Sequence, residues 1–485
     1  MSGPGDEPAG STPFDAWSLP DEGPAPGDRQ AVTIEPSGVQ ARFPAWNPGE
    51  LVELCSVLRR NRLPGLARRS VDEIAAALGA VGSRFLREED ELRDQALNLL
   101  PDYSGISPPM ARQVLDGMAR DWTTDRIREH LRIELGDAAV LDRFRPDPRG
   151  GRRMVRALGP ELSLHICAST VPGVSVTSLI RALLVKSAVV LKPGRSDLVL
   201  PVLFARGLRQ EAPELADAVA VSYWVGGTEP MEDTLLAEAD SVVVYGSDPV
   251  VRDLRNRTPV TRSFVAYRHR VGAVLVGREA LGRSHPPVDG SVAERVARAI
   301  AAFDQRGCVS PHVVYVEGRG GMDAKEWAED LAGALATLED SIPSGPLLPS
   351  EGSMIQQLRG TWEMRAAAEE GVAVHHGGGD APWTVLVEPD PGFVLSCTGR
   401  VVRVRPVESL HRAVEELAPV GRHLQTVSVE GVPGDRRLAL AESLAEIGAV
   451  RITSAKESPW PPPWWHHDGE GPLGSLLRWT DLEGA

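Results

Sequence analysis

From about residue 48 to residue 146, apolar positions recur every three to four residues, the spacing of amphipathic helices. "SVDEIAAALGAVGSRFL" opens on Ser70 with Glu73 three residues later, a pair that caps a helix start reciprocally. "SPPMARQVLDGMARDW" and "TTDRIREHLRIELGDAAVLDRF" keep the period, each starts on Ser or Thr, and Gly136 lies near the end of the second. A helical N-terminal region over 31–150 is therefore predicted. The pattern then changes. "LSLHICAST", "SAVVLKPG", "AVAVSYWVGG" and "DSVVVYGS" are short β-branched runs ended by Gly, Ser or Pro, separated by the helical segments "VSVTSLIRALLVK", "LPVLFARGLRQEAP" and "DPVVRDLRNRT". Alternation of this kind predicts a parallel sheet buried on both faces, so residues 151–270 read as a Rossmann-type α/β domain with its ligand beyond the carboxyl ends of the strands. A second alternation, from "VGAVLVG" through "SVAERVARAIAAFDQ" and "SPHVVYVEG" to "VVRVRPVES", predicts another α/β domain over 271–432. The remainder, 433–485, contains "WPPPWWHHDGEGPLGSLLRW", too proline-rich at its start for a regular element, and is expected to pack back on the body.

Composition narrows the class. The 485 residues exceed one ordinary core, in keeping with several domains. Residues 1–30 are dense in Pro, Gly, Asp and Glu and predict a disordered lead-in without the features of a secretory signal. A net charge of −15 repels phosphate backbones and argues against nucleic acid or an anionic membrane as partner. No apolar run approaches the roughly eighteen residues of a membrane span. Cys55, Cys167, Cys308 and Cys397 form no C-x-x-C pair, which points to a reducing cytoplasm, and the doublets His375-His376 and His466-His467 read as exposed loop histidines, so no metal is assigned.

Candidate chemistry sits in the loops. A helix is expected to end near Gln305, Gly307 permits a tight backbone and Pro311 blocks continuation, so Cys308 would face outward from a turn. That suits a nucleophile, and the same spacing also suits a small filler between helix and strand. Lys192 ends a strand where it can meet ribose or phosphate oxygens, and Arg195 follows at a place suited to a 2′-phosphate; a solvated loop is the alternative. Gly226 follows another strand, and Gly246-Ser247 turns into a helix whose free amides suit phosphate, although the charge of Asp248 competes for them and an ordinary N-cap is the alternative.

Together, Lys192-Pro193, the Gly246-Ser247 turn and a cysteine some sixty residues later resemble the aldehyde dehydrogenase superfamily. "FDQRGCVSPHVVYVE", with its D-Q-x-x-C-x-S-P core, "LPDYSGISPPMARQVLD" and "HHDGEGPLGSLLRW" resemble its acyl-CoA reductase family of bacterial luminescence, the LuxC type, over roughly residues 50–483. The resemblance implies an aldehyde-dehydrogenase-like fold and a Cys308 thiolate that attacks an acyl thioester, after which hydride from a nicotinamide cofactor releases an aldehyde. Thr170, in "ASTVPG", stands where the superfamily commonly has its oxyanion asparagine, and Ala266 where oxidising members carry the glutamate that activates water. Arg195 replaces the glutamate of NAD-preferring relatives and implies NADPH. An acyl-protein synthetase partner and a homo-oligomer are implied too. A CoA-acylating dehydrogenase working oxidatively, or a non-catalytic scaffold for the synthetase, are the alternatives.

Overall fold

The computed structural model describes residues 13–25, 27–147, 153–168, 170–281, 290–318, 321–378 and 381–484. The helical region follows its caps. Asn47 with Glu50 and Ser70 with Glu73 form reciprocal capping boxes at the starts of Pro48–Arg62 and Val71–Arg84, and Ser107 caps Pro108–Arg120. Val71–Arg84 crosses the Trp122–Thr124 segment at backbone contact. A Cβ added to Gly82 would lie 2.2 Å from the Trp122 carbonyl oxygen, so only glycine allows the approach. Phe85 then meets Trp122 edge-on at 5.7 Å and stacks over Phe204 at 6.3 Å, joining this layer to the helix Val199–Glu211.

Two large sheets and two small three-stranded ones are formed by the described residues. The first runs Ser263–Tyr267, Ser241–Tyr245, Leu162–Ile166, Ala188–Lys192, Val219–Ser222, parallel throughout, with Trp17–Ser18 added antiparallel at the edge. Chain order reverses between Leu162–Ile166 and Ser241–Tyr245, the switch point where open α/β sheets bind ligands. Among the described residues the second large sheet has seven strands, in the order Ala373–His376, Thr384–Val387, Val401–Val407, Pro311–Glu317, Val271–Val276, Leu424–Glu430, Arg451–Thr453. Only Ala373–His376 runs antiparallel to its neighbour. The α/β class with two Rossmann-like sheets and an N-terminal helical layer is as expected.

Several boundaries differ. Residues 1–12 lie outside the described residues, but the lead-in is ordered from Phe14, whose ring is buried against Tyr103, and Phe14–Asp15 pairs with Val39–Pro44. Two anchoring aromatics, Phe14 and Trp17, outweigh the proline-rich composition around them. The region expected to be helical opens with a hairpin, Arg29–Ile34 against Val39–Pro44. His375 and His376 lie in a strand, because the neighbouring Thr384–Val387 offers an edge to pair with.

The tail is more than a cover. Arg451–Thr453 extends the second sheet, and Arg478–Glu483 pairs antiparallel with Arg153–Leu158. Between them, the Trp460 ring packs on Gly117 and meets Phe303 at 5.1 Å, and Arg126 lies 4.3 Å over Trp464. The Arg181 guanidinium donates to the Pro463 carbonyl at 3.2 Å. Glu134 accepts from the amides of Leu473 at 3.0 Å and Gly474 at 3.2 Å, and its other oxygen meets His130 Nε2 at 2.5 Å. Glu134→Ala removes these charge-assisted bonds and should cost about 2 kcal/mol. A lowered denaturation midpoint with new chymotryptic cleavage between residues 460 and 480 would show it.

Candidate active site

The helix before Cys308 is shorter than the sequence suggests. Val292–Ala301 starts on a Ser291–Glu294 capping box and stops at Ala301, not near Gln305. Phe303, Asp304 and Gln305 then have φ of 55°, 49° and 63°, three successive L-residues in the left-handed region. Each costs about 1–2 kcal/mol and persists only where the surroundings over-determine it. They do. Asp304 Oδ1 accepts from Arg400 Nη2 at 2.8 Å and Nε at 3.1 Å, and Oδ2 accepts from the Gly345 amide at 3.0 Å. Arg400, fully buried, also donates to Glu339 at 2.7 Å and to the Ile342 carbonyl at 2.8 Å. Gln305 Nε2 donates to the carbonyls of Pro311 and Val401, both at 2.7 Å, and its Oε1 accepts from the Val401 amide at 2.8 Å. The Asp-Gln pair of the motif thus ties the turn to the amino ends of two adjacent strands.

This turn holds Cys308 at the junction of the two sheets. An added Cβ on Gly307 would stand 3.5 Å from Val171 Cγ2, so the loop that follows Leu162–Ile166 reaches the cysteine turn. Thr170, exposed, is the residue just before Val171. Gln425 Nε2 approaches Cys308 Sγ at 3.9 Å and donates to Asp468 Oδ1 at 2.9 Å. Asp468 Oδ2 accepts from the Arg268 amide at 3.0 Å and pairs with Arg270 Nε at 3.1 Å. The His467 ring stacks on Tyr267 at 4.3 Å and on Trp465 at 4.7 Å, which fixes the backbone that presents Asp468. It is therefore not an exposed loop histidine, and burial holds it neutral, well below the usual histidine range.

Cys308 is half-buried where an outward-facing thiol was expected. The surroundings of the sulfur, more than the exposure of the residue, govern its ionisation. Burial, with the charge of Asp468 adding to it, pushes the thiol up to about 12, against smaller opposing effects of the Gln425 hydrogen bond, the cysteine's own amide and Arg270. Burial thus favours the protonated thiol, and the thiolate that the resemblance implies as the attacking species forms against this environment.

On the first sheet, Lys192 closes Ala188–Lys192 at its carboxyl end, buried, with Nζ 5.2 Å from the Tyr223 ring and 5.8 Å from the Trp224 ring. Burial lowers its pKa, with Glu232 opposing. Arg195 is exposed three residues on, and Gly226 is exposed with open space where a side chain would stand. Gly246 follows Ser241–Tyr245, where a Cβ would press on Val250 at 3.2 Å. Ser247 is the N-cap of Asp248–Arg257 without a side-chain capping bond, and Asp248 Oδ1 is buried without a hydrogen-bond partner among the described residues. Lys192, Gly246 and Thr170 thus flank the carboxyl ends of neighbouring strands, and Cys308 meets the Thr170 loop from the second domain.

Sequence reasoning missed Gln425, Asp468 and Arg270. A signal existed for Gln425: "LQTVSVE" places Gln, Thr and Ser in a strand buried along its length, where a parallel sheet ordinarily has apolar residues. Volume would not have led to the cysteine. A cavity of about 1000 Å³ lies at the opposite end of the second sheet, lined by Glu279, Arg295, Asp323 and Trp327, and does not border Cys308.

Asp304→Ala leaves buried Arg400 short of a carboxylate and should destabilise the protein by about 3 kcal/mol, read from its unfolding midpoint. Only thiolate is alkylated, and its fraction rises tenfold per pH unit below the pKa. The Cys308-specific rate with iodoacetamide, after subtracting a Cys308→Ala background, should climb tenfold per unit from pH 7 to 9 with no plateau.

A sequence profile of the acyl-CoA reductase (LuxC) family matches residues 66–479. Relatives named long-chain acyl-protein thioester reductase, from Aliivibrio fischeri and Photobacterium phosphoreum, are 24% and 23% identical, covering 85% of this chain and 82% and 81% of theirs. Among solved structures, aldehyde dehydrogenase 21 from Physcomitrella patens, in complex with succinate, superposes with a TM-score of 0.72 at 17% identity over 97% of this chain and 98% of its own. The NADP-dependent glyceraldehyde-3-phosphate dehydrogenase from Bacillus halodurans C-125, complexed with NADP, gives 0.71 at 15% identity over 97% and 100%. The structural likenesses establish the fold, and the profile, spanning the helical layer, both sheets and the tail, establishes more: the chain belongs to the acyl-CoA reductase (LuxC) family, built on the aldehyde dehydrogenase fold.

Proposed function

We propose that this enzyme reduces an acyl thioester, presented as acyl-CoA or on a carrier or synthetase protein, to its aldehyde through a covalent acyl group on Cys308, with NADPH as reductant. The observation that carries the reading is a cysteine held at the meeting of two α/β domains by the Asp304–Gln305 turn, opposite the loop that follows the first strand of a switch-point sheet. Sγ attacks the carbonyl carbon, the bond from that carbon to the carrier sulfur breaks, and the thiol proton ends on the departing thiolate. The cofactor, when bound, supplies the hydride that reduces the acyl carbon. The bond to Sγ then breaks, aldehyde leaves, and the sulfur recovers a proton from solvent.

The residues present fit such a cofactor. The open space over Gly226, the Gly246-Ser247 turn and the cations Lys192 and Arg195 lie at or just after the carboxyl ends of strands of the first sheet, where such sheets take their ligands, and Arg195 suits a 2′-phosphate. Asp248 disfavours phosphate directly over its own helix. Reduction is favoured over hydrolysis because both oxygens of Asp468, the carboxylate whose charge acts on Cys308, are already engaged, and Ala266, in Ser263–Tyr267, offers no base for water. Relatives named for acyl-protein thioesters support a protein-borne acyl group as substrate, and the synthetase partner rests on the family resemblance. The strand Arg478–Glu483 is at a sheet edge with Trp479 and Leu482 exposed, which supports self-association. Four free cysteines support a reducing cytoplasm, and no helix among the described residues is long and apolar enough to cross a membrane.

Incubation with radiolabelled octanoyl-CoA, palmitoyl-CoA or benzoyl-CoA should label the wild type and not Cys308→Ala, and NADPH should discharge the label as aldehyde. If neither protein takes label or oxidises NADPH, even with an acyl-protein synthetase added, the scaffold alternative holds. Arg195→Ala should raise KM for NADPH about tenfold while leaving KM for NADH within about twofold.

A further inference from the structure

Thioester attack and acyl reduction each place a negative charge on the acyl oxygen, and a preorganised donor aimed at that oxygen is commonly the largest single contribution to such catalysis. The cysteine's own amide is one candidate donor. Thr170, at the place of the superfamily's asparagine, has a shorter reach and lies exposed.

Gln425 has the geometry that Thr170 lacks. It is fully buried at the amino end of Leu424–Glu430, and its Nε2 carries two N–H groups. One is engaged by Asp468 Oδ1 at 2.9 Å, and Sγ of Cys308 lies 3.9 Å from the same nitrogen. A carboxylate only accepts, so Asp468 decides which end of the amide faces the sulfur; the reverse orientation would set two acceptors against each other. Asp468 is held in turn by the Arg268 amide and by Arg270. Gln425 Oε1 finds no hydrogen-bond partner among the described residues, so the side chain is placed for what its nitrogen does. An acyl oxygen is two bonds from Sγ once the carbon is attached. A nitrogen 3.9 Å from the sulfur can therefore meet it at the roughly 3 Å that an oxyanion donor requires.

We propose that Gln425 Nε2 is the side-chain oxyanion donor of this enzyme, and that Asp468, anchored by Arg270, is the positioning residue that aims it. The proposal rests on the reading above only in needing an oxyanion bonded through carbon to Cys308. The donor then comes from the second domain and is aimed by the tail, not by the loop of the cofactor-binding domain.

Two reagents separate this role from a general effect on the thiol. p-Nitrophenyl acetate acylates Cys308 through an oxyanion and releases p-nitrophenolate, without NADPH or a natural thioester; iodoacetamide alkylates the same sulfur without one. Gln425→Leu, which keeps the volume and leaves no orphaned oxygen, and Gln425→Ala should both slow acylation about a hundredfold while alkylation changes less than about threefold. Asp468→Asn should slow acylation about tenfold yet move the pH profile of alkylation to lower pH, because a neighbouring negative charge is gone. A purely structural role would not separate the two readouts in this way. Acylation and alkylation falling together, or neither falling, overturns the proposal, as does a wild type that p-nitrophenyl acetate fails to acylate, or a hundredfold loss in Thr170→Ala without one in the Gln425 variants. If no acyl-CoA is reduced but acylation by p-nitrophenyl acetate depends on Gln425, the reductase reading falls and this inference stands.

Discussion

The buried pairing of Asp304 with Arg400 is the constraint on which the site depends. Three left-handed residues in succession would relax to helix or strand if left alone. What prevents this is a carboxylate bound on both oxygens to groups that themselves cannot move: a fully buried guanidinium shared with Glu339, and the Gly345 amide. Gln305 adds a second clamp between strand ends. Such an arrangement contributes little net stability, because burying the charges offsets much of their attraction. Its effect is on position. Cys308 is fixed relative to the second sheet, and so relative to the loop that Val171 brings from the first.

Around this fixed sulfur, the polar groups come from widely separated parts of the chain. Gln425 belongs to the strand beyond Val271–Val276, Arg270 to the end of the crossing between the two sheets, and Asp468 to the tail. The aromatic stack of Tyr267, His467 and Trp465 supplies the stiffness that lets a segment without regular structure present a carboxylate in one place.

Much of this was legible in the sequence and some was not, for reasons that differ by residue. The helices that begin at Ser70 and Ser107 carry their caps within four residues, so local pattern suffices. The sheet strands are β-branched runs long enough to declare themselves, and the sulfur at 308 stands out in a chain with few cysteines. By contrast, "AAFDQ" reads as the end of a helix because nothing in those side chains selects a positive φ; the selection comes from Arg400, ninety-six positions away. Gln425 lies 117 positions from Cys308, and no periodicity links them. The short strands at Phe14 and Arg478 escape notice since two to six residues carry little pattern and acquire their state from a partner strand.

The course of the tail also bears on how the molecule is made. Gln425 and Cys308 both precede the tail, so until Asp468 docks the amide beside the sulfur lacks the acceptor that orients it. The polar surroundings of the sulfur are complete only once the stacked histidine and its neighbouring carboxylate have docked on the two sheets.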